Sequence, residues 1–177
     1  LLIVNRSQGD YDETFDRYCE HKKYVKSLKE LLSNIPTKIL SLTTARLRKG
    51  NYKNIETGSP ELKMIKEFFP DLTYEEGLLK LEKLKKECRL TVYMYNSTGI
   101  LENLTLNLPT MCYWPDRENK FNSEIFNKYL ELLIDSEILA LSPKSLADNI
   151  SKNWDDINNW WFSNKVQNAR NKFCDKF

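Results

Sequence analysis

The sequence carries a single histidine, His21, and only five glycines in 177 residues. One histidine cannot make a multi-histidine metal site, and any histidine-based triad would have to be built on His21 alone. That residue lies in the run Glu20-His21-Lys22-Lys23, which reads as a solvated helix face. The scarcity of glycine excludes more. There is no Gly-x-x-x-x-Gly-Lys-Ser/Thr phosphate loop and no Gly-x-Gly-x-x-Gly dinucleotide fingerprint. There is no Gly-x-Ser-x-Gly elbow either, which removes the ordinary α/β-hydrolase.

Cysteine is sparse and unpatterned. Cys19, Cys88, Cys112 and Cys174 form no Cys-x-x-Cys pair, so neither a zinc site nor a disulfide framework is expected. Reduced thiols in a cytoplasmic protein fit better. No apolar run approaches the roughly 20 residues that a membrane helix needs, and no signal-peptide pattern opens the chain. The sequons at Asn5, Asn96, Asn103 and Asn149 are read as chance in an Asn-rich chain. With 27 Lys+Arg against 25 Asp+Glu, the formal charge of +2 lacks the basic excess of a dedicated nucleic-acid binder. Hydrophobic residues at 41% and aromatics at 12% exclude wholesale disorder. The length suits one domain with a real core.

Apolar and polar segments alternate along the chain. Residues 1–4 read as a buried strand and 12–34 as a helix with apolar residues three or four apart, stopped by Pro36. Residues 38–42 read as a second strand, delivering Thr43, Thr44 and Arg46 at its carboxyl end. A loop covers 48–60, and a short helix covers 61–69. Asp71 or Thr73 would cap a further helix running to 87. Strands are expected at 90–95, 110–114 and 139–141, and helices at 98–107 and 123–135. Ser142-Pro143 offers an N-cap and a first-turn proline for a helix ending near 154. Residues 155–177 read as an aromatic helical tail. Strands and helices in this order define a Rossmann-like, doubly wound α/β domain with a parallel sheet.

In such sheets ligands bind beyond the carboxyl ends of the strands. Asn96, Ser97 and Thr98 fall where a strand ends and a helix begins, and Gly99 removes bulk from the first turn. A helix N-terminus presents free N–H groups and roughly half a positive charge, which suits a phosphate. The same residue types are ordinary caps, and both readings stand. Arg46 would bring a guanidinium to the same edge of the sheet; its plainer role is a surface arginine beside Arg48 and Lys49. Glu102, one turn after Thr98, can accept from a sugar hydroxyl or simply face solvent.

The run Arg89-Leu-Thr-Val-Tyr-Met-Tyr95-Asn96-Ser97-Thr98-Gly-Ile-Leu-Glu102, followed by Asn107-Leu-Pro109-Thr-Met-Cys-Tyr-Trp114, resembles a bacterial family of surface-polysaccharide transferases. That family is associated with lipopolysaccharide biosynthesis and is similar to the CDP-glycerol glycerophosphotransferases. The resemblance continues through Arg46-Leu47, Phe69-Pro70, Leu141-Ser-Pro-Lys-Ser145, Trp154-Asp-Asp156, Trp160-Trp161, Val166-Gln167 and Ala169-Arg170, across roughly residues 38–177. It implies a two-domain GT-B architecture in which this chain is the C-terminal half.

Residues 1–154 would be the nucleotide-sugar-binding domain, with 155–177 a helical tail, and an N-terminal half would precede them. Arg46, Asn96, Ser97 and Thr98 would hold the donor diphosphate, with Glu102 near the nucleotide or sugar. The implied partners are a nucleotide-activated sugar or CDP-glycerol-type donor and a saccharide or lipid-linked acceptor. No metal, cofactor or nucleic acid is implied. The expected location is the cytoplasm, with peripheral association at the inner face of the membrane. Met94 and Gly99 depart from the family pattern, as does the segment after Trp114, and they leave the donor open. A non-catalytic α/β binding module and a GT-B-like epimerase or phosphorylase remain as alternatives.

Overall fold

The structure, a computed structural model, describes residues 1–5, 15–47, 60–115 and 124–177. Six strands form one parallel sheet: β1 (Leu2–Val4), β2 (Thr44–Arg46), β3 (Thr73–Glu75), β4 (Thr91–Tyr93), β5 (Thr110–Tyr113) and β6 (Leu139–Ala140). Their spatial order is β3-β2-β1-β4-β5-β6. The central register sets Ile3 beside Ala45 on one side and beside Val92 on the other. All three are fully buried, as expected of parallel strands covered on both faces. Burying each Ile or Val of this kind contributes about 1.5–3 kcal/mol.

Nine α-helices surround the sheet among the described residues: α1 (Phe15–Asn34), α2 (Thr37–Leu40), α3 (Pro60–Phe68), α4 (Leu81–Glu87), α5 (Thr98–Thr105), α6 (Glu124–Asp135), α7 (Pro143–Asn153), α8 (Ile157–Trp161) and α9 (Asn164–Lys176). Tyr24, Leu28, Leu31, Leu32 and Ile35 supply the buried side of α1, which packs against α3 and α7. On the other side α9 packs against α5 and α6. The helix starts follow local chemistry. Ser142 and Ser145 exchange side-chain-to-backbone hydrogen bonds at 3.0 Å in each direction, a complete capping box ahead of Pro143.

Two strands differ from the sequence reading. The segment 38–42, expected as the second strand, instead holds the single turn α2. Pro36, with φ fixed at −55°, opens that turn, only Ile39 in it is buried, and Leu42 is 61% exposed. The Thr43 hydroxyl donates to the Ile39 carbonyl at 2.8 Å, and the strand begins only at Thr44. Further on, 73–75 is not the start of a helix but the edge strand β3, paired with β2 from Thr44↔Thr73 to Arg46↔Glu75. Gly77, with φ of 79°, turns the chain in the left-handed region that favours glycine. Helix α4 then starts only at Leu81, leaving Leu78 and Leu79 exposed.

The tail is part of this domain's own core. Trp160, Trp161 and Phe173 are buried, and Trp160 Nε1 donates to the Ser136 carbonyl at 3.1 Å. Helix α5 ends with Asn107 in the left-handed region, φ 54°, where Asn is the best tolerated residue after Gly. Trp161 Nε1 donates to the backbone and side-chain oxygens of Asn107 at 3.1 and 3.0 Å. Gln167 Nε2 reaches the same Oδ1 at 3.1 Å, and an Arg170 Nη caps the Leu104 carbonyl at 2.7 Å. The motif residues shared between the two stretches therefore form a scaffold that finishes α5.

Candidate functional site

The strand order reverses between β1 and β4, the switch point at which doubly wound folds open a crevice. A cleft of about 200 Å³ lies there, bordered by Asn5, Arg46, Tyr93, Tyr95, Ser97, Thr98, Gly99 and Glu102, with Val4 and Leu81 as its apolar wall. The ends of β1, β2 and β4 and the start of α5 thus meet in one place.

Asn5 fixes the floor. It is buried and accepts from the Tyr24 hydroxyl at 2.7 Å. Its amide donates to the Arg46 carbonyl at 3.2 Å, as does its backbone N–H at 3.0 Å. With both ends of the amide used, Asn5 locks the end of β1 to the end of β2 and sets where Arg46 leaves the sheet.

Arg46 is the last residue of β2, and its side chain is only 17% exposed. Its Nε lies 3.5 Å from Glu75 Oε2, and one terminal nitrogen donates to the Leu79 carbonyl at 3.2 Å. Glu75 Oε1 in turn accepts from the backbone N–H groups of Leu78 and Leu79. The β3–α4 turn therefore holds Glu75, and Glu75 holds the guanidinium. Removing one partner of such a half-buried pair would leave a charge uncompensated.

Ser97 is the N-cap of α5. Its hydroxyl accepts from Gly99 N at 3.1 Å, and its carbonyl accepts from Ile100 N at 3.0 Å. The capping role foreseen for this residue is realised, and Thr98 stands exposed beside it at the cleft. Glu102 lies one turn on, with its side chain 62% exposed and 3.6 Å from the nearly buried ammonium of Lys85. At that exposure the pair is weak.

Asn96 departs from the group. It is exposed and borders a second, aromatic pocket with Trp114, Phe126, Phe173 and Phe177, not the cleft that holds Arg46. Ser97 borders both. Asp10, Arg48, Asp116 and Arg117, also near strand ends, lie outside the described residues.

Glu75, Lys85 and Tyr93 were not singled out in the sequence. Glu75 and Lys85 fell in what reads as one continuous helix, which hid their shared edge. Tyr93 sits in an aromatic, β-branched strand and reads as core. Tyr93 is indeed 1% exposed and meets Tyr95 edge-on, with ring centroids 6.4 Å apart. Its hydroxyl, however, has no hydrogen-bond partner among the described residues. Burial pushes the phenol pKa up, with Tyr95 and Glu102 adding to it against a smaller opposing effect of Arg46. The group therefore stays protonated through the neutral range.

Among the described residues no group of three or more His, Cys, Asp or Glu side chains could hold a metal ion. No helix there is long and apolar enough to cross a membrane.

A parallel doubly wound sheet with a polar cleft at its switch point defines a Rossmann-like α/β domain. Over residues 2–177 the chain matches the family described as LIC12162 family transferase, and it belongs to that family. It is accordingly a transferase-family protein. Comparison with curated proteins gives no match, and comparison with solved structures gives none either.

Proposed function

We propose that this domain binds the nucleotide-diphosphate donor of a glycosyl- or glycerophospho-transferase that assembles cell-envelope polysaccharide. The observation that carries the reading is the convergence of Arg46 and the first turn of α5 on one cleft at the switch point. A leaving diphosphate gathers negative charge as its bond to the transferred group breaks. A guanidinium and a helix N-terminus aimed at that charge lower the barrier by electrostatic preorganisation. In this reading Arg46, Ser97 and Thr98 face the diphosphate, and Glu102 accepts from a hydroxyl of the donor. Asn96, on the far side of Ser97, borders the neighbouring aromatic pocket and is left out of this contact set. The saccharide or lipid-linked acceptor and the general base belong to a second Rossmann-like half facing the cleft. The enzyme would work at the inner face of the membrane. The resemblance to CDP-glycerol glycerophosphotransferases supports both the donor class and the two-half arrangement.

Calorimetric titration with CDP-, UDP- and CMP-linked donors tests this. Binding of one class is expected, weakened about tenfold or more in Arg46→Ala, the loss of one charge-assisted contact. A full-length protein that binds no nucleotide would sink the reading.

One observation favours a second reading, a binding module without turnover. Ser97 already caps its own helix, and Arg46 is already paired with Glu75. Nucleotide binding with no product formed, in the presence of acceptor and of the second half, would decide for it.

A further inference from the structure

Three of the buried polar atoms that lack a hydrogen bond gather at one end of the sheet: Arg46 Nε, Glu75 Oε2 and Tyr93 Oη. The first two face each other as an ion pair. Among the described residues Tyr93 has no such partner. Leaving a buried hydroxyl unpaired costs about 1–3 kcal/mol, and phenylalanine would fill the same space without that cost. The hydroxyl lies against the first turn of α5, where a Cβ on Gly99 would stand 2.8 Å from it. Glycine keeps that approach open, and the ring borders the cleft together with Arg46 and Thr98. A hydroxyl kept at a helix N-terminus, protonated and unsatisfied among the described residues, is a donor placed to meet an acceptor in the cleft.

We propose that Tyr93 is a ligand-binding residue, its hydroxyl donating to a phosphate oxygen seated between Arg46 and the first turn of α5. This rests on the nucleotide-donor reading and adds to it a contact that neither the motif nor the family description assigns. The oxygen would receive a neutral O–H donor from one side and the guanidinium from the other. Selectivity then follows: a ligand without an anionic or strongly accepting oxygen leaves Tyr93 unpaired and loses that contribution.

The test compares wild type with Tyr93→Phe in the full chain, using inorganic pyrophosphate, CDP and phosphate-free cytidine as probes. The expected result is about a tenfold or greater loss of affinity for pyrophosphate and CDP, as for a hydrogen bond to a charged acceptor. Any cytidine binding should be unchanged, and the ligand-free melting temperature should be equal or higher. Equal affinity of the two proteins for a phosphate probe that wild type binds overturns the role of Tyr93 and leaves the donor reading standing. A clear fall in ligand-free stability also overturns it, because the hydroxyl would then have an internal partner. A wild-type chain that binds neither pyrophosphate nor CDP removes the donor reading, and this inference with it.

Discussion

The hydroxyl of Tyr93 occupies the space that a side chain at position 99 would need. A Cβ built on Gly99 would stand 2.8 Å from Tyr93 Oη, 3.0 Å from Cε1 and 3.1 Å from Cζ. The two residues come from different elements, β4 and α5, so their contact sets how closely the helix start approaches the strand end. Gly99→Ala should therefore destabilise the fold by about 1–3 kcal/mol, as overpacking of a tight core does. Adding Tyr93→Phe removes the shortest contact and should recover part of the loss, a coupling of about 0.5–3 kcal/mol. Urea unfolding of the two single variants and the double variant measures both. Strict additivity would show that the contact is not what makes position 99 glycine.

Asn107 combines a left-handed backbone, φ 54°, with a carbonyl side chain that serves Trp161 and Gln167. Alanine there loses the acceptor and tolerates the left-handed backbone less well than Asn. It should cost about 1–2 kcal/mol, since Trp161 Nε1 keeps the Asn107 carbonyl and Gln167 Nε2 keeps the Trp161 carbonyl. Glycine keeps the backbone conformation and loses only the acceptor, so Asn107→Gly should cost about 1 kcal/mol less than alanine. Denaturant midpoints of the two variants check the order. Equal losses would mean that the backbone conformation contributes nothing.

Glu137 gives the chain a pH-dependent contribution. Burial acts to raise its pKa, but hydrogen bonds from Lys152 and Asn153 and the charges of Lys152 and Lys165 outweigh it, so the net direction is down. The folded carboxyl thus titrates below the unfolded one, whose ordinary value is 4.5. Its contribution is fully present above that value and is lost as the pH falls through the lower folded pKa. Glu137→Gln should be less stable than wild type at neutral pH. The gap should close as the pH falls through the lower folded pKa, read as melting temperature against pH. A gap that is constant across this range would rule out the ionised carboxylate as its source.

The long elements were legible because their signals are local. The periodicity of 12–34, the proline at 36 and the Ser142-Pro143 start each act within a few residues. Strands β2 and β3 were misread for the opposite reason. Three residues carry no measurable alternation, and Thr73-Tyr-Glu75 is a strand because Thr44-Ala-Arg46 lies beside it. The candidate cleft divides in the same way. Arg46, Ser97, Thr98 and Glu102 could be named from their positions at strand ends and along one helix face. Glu75 and Tyr93 could not, since the role of each depends on an element far away in sequence. Asn96 shared the motif but not the cleft: it follows the end of β4 and borders the neighbouring aromatic pocket.

The anchoring of α5 bears on how the protein is made. The helix begins at the cleft with Ser97, but its end is completed by Trp161, Gln167 and Arg170, which lie 54, 60 and 66 residues downstream of the groups they bind. A chain emerging from the ribosome can pair β1, β2 and β4 while those three residues are still unsynthesised. During that interval α5 has a start but no fixed finish, with the Leu104 carbonyl and the Asn107 side chain facing water. The helix that borders the candidate cleft is therefore completed only once residues 161–170 are made, well after the strands beside it.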